Sequence, residues 1–119
     1  MAKGYWIGHV TVTDPEGYRA YVAANGPVFA KYGARFLVRG GRYASVEGMT
    51  RQRHVVIEFP SYEAALACYR SPEYQEVLRL RRDAGEADIL VVEGYDGPQP
   101  GEAAGRGQHR NMEYGASAA

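Results

Sequence analysis

Four short runs of aromatic and β-branched residues alternate with two stretches of helical periodicity, and this order limits the fold more than any other property of the chain. Tyr5 to Val12 reads as a strand that ends at Thr13-Asp14-Pro15, where Asp14 is expected to cap a helix and Pro15 fits its first turn. Tyr18, Tyr21, Val22, Val28, Phe29 and Tyr32 then recur at helical spacing up to Gly33. Gly26-Pro27 is expected to kink or split this helix, because proline removes one ladder bond and crowds the preceding turn. Ala34 to Val38 reads as the second strand, with a bulge or bend expected at Gly40-Gly41 before Arg42 to Glu47 continues it. Arg53 to Phe59 returns as the third strand.

A helix capped by Ser61 follows, with Ala65, Leu66 and Tyr69 on one face, and Ser71-Pro72-Glu73 starts a further helical segment carrying Tyr74, Val77 and Leu78 inward. The run Arg79, Arg81, Arg82 before Gly85 places cations at the negative end of that helix, and reads first as a solvated last turn, with anion binding as the alternative. Ile89 to Val92 is the fourth strand. The sum is β-α-β-β-α-β, an α+β, ferredoxin-like arrangement whose antiparallel sheet has the order 4-1-3-2 with both helices on one face. Apolar residues occupy both faces of these strands: Tyr5, Ile7, Leu37, Leu90 and Val92 alternate with Trp6, Val10, Phe36, Val38, Ile89 and Val91. The chain has no spare element to cover the second face, so a homodimer with facing sheets is expected.

The structured domain is expected over residues 3–96. From Gly97-Pro98-Gln99-Pro100-Gly101 onward the sequence is dominated by Gly, Ala, Arg and Gln, so 97–119 reads as a flexible tail in which only Met112 and Tyr114 could dock on a partner. Fourteen Lys and Arg balance fourteen Asp and Glu, which argues against nucleic acid as a partner. No run approaches the roughly 20 apolar residues of a membrane span, and a lone cysteine, Cys68, cannot staple the chain, so no membrane partner and a cytoplasmic location are expected. Cys68 lies among Ala65, Leu66 and Tyr69 and reads as a packing residue.

Gly4-Tyr5-Trp6-Ile7, the stretch from Tyr32 to Gly41 with its Arg39-Gly40-Gly41, Val55-Val56-Ile57-Glu58-Phe59-Pro60-Ser61, Ala64-Ala65-Leu66, Tyr69-Arg70-Ser71-Pro72-Glu73-Tyr74 and Val92-Glu93-Gly94 resemble the domain-of-unknown-function family 1330, across about residues 3–95. That resemblance implies the dimeric α+β barrel superfamily, whose other members include cofactor-independent quinone-forming monooxygenases, muconolactone isomerases, haem-degrading enzymes and small stress-response barrels. It implies no reaction of its own.

Candidate site residues follow from strand parity and side-chain chemistry. His9 and Thr11 share a face, as do Arg35 and Arg39, and His54 and Glu58; pairing of strands 1, 3 and 4 can bring His9, His54 and Asp88 together. Two imidazoles and a carboxylate could hold a metal or relay a proton, but a one-residue slip in register turns any of them to the other face, so no metal is assigned. No cofactor is assigned either, and Gly40-Gly41 lacks the spacing of a phosphate loop, with no helix following it. Ten tyrosines beside three phenylalanines suit half-wet surfaces, and aromatic walls bearing hydroxyls fit a flat, apolar, oxygenated ligand. On these grounds His9 is the candidate base and Arg39 the candidate oxyanion partner. Asn25, Tyr32, Tyr69, Gly40 and Gly41 are the candidate ligand-binding residues. Two functions stay open: a small-molecule-binding homodimer acting as a cofactor-independent monooxygenase or isomerase, or a non-enzymatic stress-response or assembly dimer.

Overall fold

A computed structural model describes residues 2–102. Its element order is β1 (Gly4–Val12), α1 (Pro15–Lys31), β2 (Arg35–Arg39), β3 (Arg53–Phe59), α2 (Tyr62–Arg70), α3 (Pro72–Arg82) and β4 (Gly85–Glu93). The sheet is antiparallel with spatial order β2-β3-β1-β4. This is the expected α+β, ferredoxin-like arrangement, with the second helical stretch divided at Ser71. That serine serves both halves: its hydroxyl donates to the Cys68 carbonyl at 2.8 Å and accepts the Tyr74 amide at 3.1 Å. Ser61 caps α2 by accepting the Ala64 amide at 3.0 Å.

Parity along β1 organises the core. Gly4, Trp6, Gly8 and Val10 are buried under the helices, while Tyr5, Ile7, His9 and Thr11 are half-buried on the other face. Trp6 sits at the centre, within 5.0–5.5 Å of the rings of Phe29, Phe59, Tyr69 and Tyr74, and its indole N–H donates to the Ala65 carbonyl at 2.8 Å. Burying that much aromatic surface with the one polar atom satisfied is what fastens α2 to the sheet. Cys68 is completely buried, and burial pushes its thiol up to about 12, as suits a packing residue.

Four expectations need correction. First, α1 is not split: it runs from Pro15 to Lys31 with Pro27 inside it, and the buried Val28 and Phe29 hold the last turn in place of the ladder bond that proline lacks. Second, Asp14 stands at the N-cap position but its side chain makes no capping bond. Third, the bulge in β2 lies earlier than Gly40-Gly41, between Phe36 and Val38, while the bend expected there is present at Gly40. Fourth, Arg42 to Glu47 forms no strand: after Gly40, whose φ is +69°, the chain leaves the sheet as an exposed loop. Residues 97–102 form no helix or strand, and the remainder of the expected tail, including Met112 and Tyr114, lies outside the described residues.

Candidate functional site

A cavity of about 30 Å3 lies between the sheet and helices α1 and α3. Its floor is Trp6, Gly8, Val10, Val55, Ile57 and Ile89. Gly8 is central to it: glycine in the middle of a strand leaves a gap where neighbouring strands present Val55 and Ile89. Opposite stand Tyr18, Tyr21, Asn25 and Phe29 from α1. The polar groups are Arg39 from β2, Arg53 from β3 and Arg81 from α3.

A bulge brings Arg39 here. Phe36 pairs with Ile57, Val38 with Val56 and Arg39 with Val55, so Leu37 is an extra residue in β2. Without it, Arg39 would share a face with Arg35, as strand parity predicts. With it, Arg39 turns to the helix side and its guanidinium lies 3.9 Å from the centre of the Phe36 ring. The sequence-based pairing of Arg39 with Arg35 is therefore corrected, and among the described residues Arg39 forms no ion pair with Glu58 or Glu47.

Arg53 donates from Nε to the Tyr18 hydroxyl at 3.2 Å and stacks 5.2 Å from that ring. Gly40 leaves room for it: a Cβ on Gly40 would stand 2.2 Å from Arg53 Nη1. Arg81 is only 7% exposed and lies 5.7 Å from the centre of the Tyr21 ring. The Tyr21 and Tyr74 hydroxyls are 2.6 Å apart in the protein interior. Burial pushes both phenols above their usual range, against the pull of the Arg81 charge, so both remain neutral hydrogen-bonding groups at ordinary pH. Among the described residues, two buried polar atoms, Asn25 Oδ1 and Arg81 Nε, have no hydrogen-bond partner. Among the described residues, no carboxylate, histidine or cysteine lines the cavity. It can hold and polarise an oxygen atom, but it carries no group suited to take a proton at neutral pH.

The predicted residues divide between the two sides of the sheet. Asn25 and Arg39 line the cavity, and Gly40 acts on it through Arg53. Gly41 has open space around it. Tyr32 sits at the C-terminal end of α1 beneath Lys31, and Tyr69 borders a separate open recess with Leu66, Arg70, Gln75, Ile89 and Val91. His9 lies on the opposite face of the sheet, so it cannot serve as the base in a site with Arg39. Its register partners are His54 on β3 and Asp88 on β4. The Nδ1 atoms of His9 and His54 are 2.8 Å apart, one donating and the other accepting. Asp88 is taken by Arg51, whose Nε donates to it at 2.8 Å while the same guanidinium reaches Glu86 and Thr11. Among the described residues no three His, Cys, Asp or Glu side chains are grouped to hold a metal.

Arg53 was not among the candidates, and Arg81 entered only through the anion-binding alternative for its basic run. Arg81 reads in sequence as part of a solvated basic turn, and this is corrected: Arg79 pairs with Glu76 and Arg82 is exposed, but Arg81 is buried. The available signal is spacing, since Tyr74, Leu78 and Arg81 follow the inward stripe of α3 at i, i+4, i+7.

The family profile for a domain of unknown function, DUF1330, matches residues 3–95. Among solved structures, a protein of unknown function from Rhodopseudomonas palustris is 20% identical with a TM-score of 0.65, covering 81% of this chain and 85% of that one. A cofactor-independent oxygenase from Streptomyces nogalater, SnoaB, is 11% identical with a TM-score of 0.56, over 86% of this chain and all of that one. A dimeric ferredoxin-like protein of unknown function from Thermobifida fusca is 14% identical with a TM-score of 0.51, over 77% and 89%. At these identities the likeness concerns the fold. No curated protein matches. No helix among the described residues is long and apolar enough to cross a membrane. With the profile spanning the whole sheet and all three helices, the chain belongs to the DUF1330 family.

Proposed function

We propose that the protein is a homodimeric barrel that binds a small, flat, oxygenated molecule between its sheet and helices α1 and α3. The observation that carries this reading is the convergence of aromatic walls with three guanidinium groups and a buried amide on one cavity. The space enclosed is about 30 Å3, close to the share of one water molecule. A ring-sized ligand therefore enters when Arg39 and Arg53 swing outward. Arg39 is exposed and Arg53 half-buried, so both can move without disturbing the core. The S. nogalater protein of the same fold is a cofactor-independent oxygenase, and a monooxygenase or isomerase reaction on the bound molecule is the activity in keeping with that neighbour. Pairing through the uncovered sheet face accords with exposed Leu37, Val38, Leu90 and Val92 there, and with the dimeric T. fusca neighbour.

The smallness of the closed cavity favours a second reading, a non-enzymatic dimer for stress response or assembly, in which the polar groups only stabilise the fold. Calorimetry with a panel of phenols and quinones decides between them. Binding that weakens in Arg39→Ala and persists in His9→Ala supports the pocket, since His9 lies across the sheet from it. Absence of binding by every member of the panel favours the assembly reading.

A further inference from the structure

Three guanidinium groups meet in one cavity without a carboxylate beside them, although the chain as a whole carries equal numbers of acidic and basic residues. The ion pairs among the described residues use Lys31, Arg51 and Arg79, and none involves Arg39, Arg53 or Arg81. Arginine cannot shed its proton to escape such a setting, so the positive field persists at every pH the protein tolerates. Burying a charge costs stability unless an opposite charge or good hydrogen bonds offset it; the buried Arg81 guanidinium is hydrogen-bonded to the Tyr21 and Tyr74 hydroxyls, and among the described residues its Nε has no partner. In the same lining, Asn25 is 3% exposed and its Oδ1 has no donor among the described residues. The cavity lining thus includes a cationic donor and an acceptor without partners among the described residues.

We infer that this pocket takes its ligand as an anion: a phenolic or enolic acid whose ionised oxygen is held by Arg81 and whose second hydroxyl donates to Asn25. This rests on the small-molecule reading above and adds the charge state and the donor pattern. The walls select a flat ring, through Trp6, Phe29 and Phe36. The guanidiniums select its conjugate base, because they favour the charged over the neutral form of any acid between them. The proton leaves to solvent before binding or as the ligand enters, so the pocket needs no base of its own. The other titratable groups facing the site are Tyr18 and Tyr21 from α1, with Tyr74 from α3 behind them; the strands add only arginines and apolar residues.

The test uses the full chain with three chromogenic or isosteric probes: 4-nitrophenol, 4-nitrocatechol and nitrobenzene. Calorimetry at a pH where 4-nitrophenol is partly ionised should show it binding at least about tenfold more tightly than nitrobenzene, the worth of a charge-assisted hydrogen bond. Phenolate absorbance should appear at a pH about one unit lower in the presence of excess protein than in its absence. Arg81→Met should abolish that displacement; if this variant does not fold, Arg53→Met, at the half-buried mouth, should reduce it. Asn25→Ala should remove any advantage of 4-nitrocatechol over 4-nitrophenol. Binding of nitrobenzene and 4-nitrophenol with equal affinity and no displacement overturns the inference and leaves the pocket standing. Failure of all three probes to bind overturns both.

Discussion

Gly40→Ala gives the sharpest test of how the site is built. Gly40 has φ +69°, a conformation that costs an L-residue about 1 kcal/mol. Its new Cβ would also stand 2.2 Å from Arg53 Nη1, so the guanidinium has to leave. Leaving forfeits the hydrogen bond to the Tyr18 hydroxyl, about 1 kcal/mol, and stacking on that ring, about 0.5–1 kcal/mol for a half-buried pair. The expected total is about 2–3 kcal/mol, or a fall in melting temperature of roughly 10–20 °C for a domain of this size. Urea denaturation of Gly40→Ala, Arg53→Ala and the double variant measures it. In the Arg53→Ala background only the backbone cost of about 1 kcal/mol should remain. Gly41→Ala is the control: its φ is not positive and its Cβ would meet nothing within 4 Å, so it should be neutral or slightly stabilising. Equal cost of Gly40→Ala in both backgrounds would show that Gly40 does not make room for Arg53.

Three other outcomes are expected. Tyr21→Phe or Tyr74→Phe alone removes one side of the 2.6 Å bond and one acceptor of the buried Arg81, and should cost about 1–2 kcal/mol; the double variant leaves Arg81 without either hydroxyl and should cost more than either single one, and an unchanged stability in denaturant titrations counts against the network. Leu90→Asp places a charge on the uncovered sheet face, where Leu90 is 51% exposed, and should give a monomer by light scattering while the chain stays folded; a dimer that persists refutes pairing through this face. Cys68 should resist a thiol reagent in the native state near pH 8 and react on unfolding. Because burial, followed by the nearby Glu73 charge, raises its folded thiol to about 12 from 9.0, its contribution to stability is complete below pH 9 and declines as the pH rises towards 12; fast native labelling contradicts the burial argument.

The order of elements was legible because strand and helix periodicities are local. Alternation in Tyr5–Val12, the cap-then-proline signal at Ser71-Pro72 and the inward stripe of Tyr18, Tyr21 and Phe29 each depend on residues a few positions apart. The two-faced sheet, the 4-1-3-2 order and the nearness of His9 to His54 follow from that order once the strands pair antiparallel. Asn25 was legible for the same reason, since it lies on the stripe of α1 that the tyrosines define.

Tertiary structure alone decided which polar residues share a site. A single extra residue, Leu37, reverses the parity of everything after it in β2 and moves Arg39 from the open face to the cavity; its position depends on how β2 meets β3, which no local pattern encodes. Arg81 belongs to a basic run by sequence and to the interior by packing, because α3 crosses α1 where Tyr21 and Tyr74 meet. His9 and Arg39 looked like partners while only their chemistry was visible. The sheet stands between them, and a backbone layer one strand thick is enough to assign them to different surfaces.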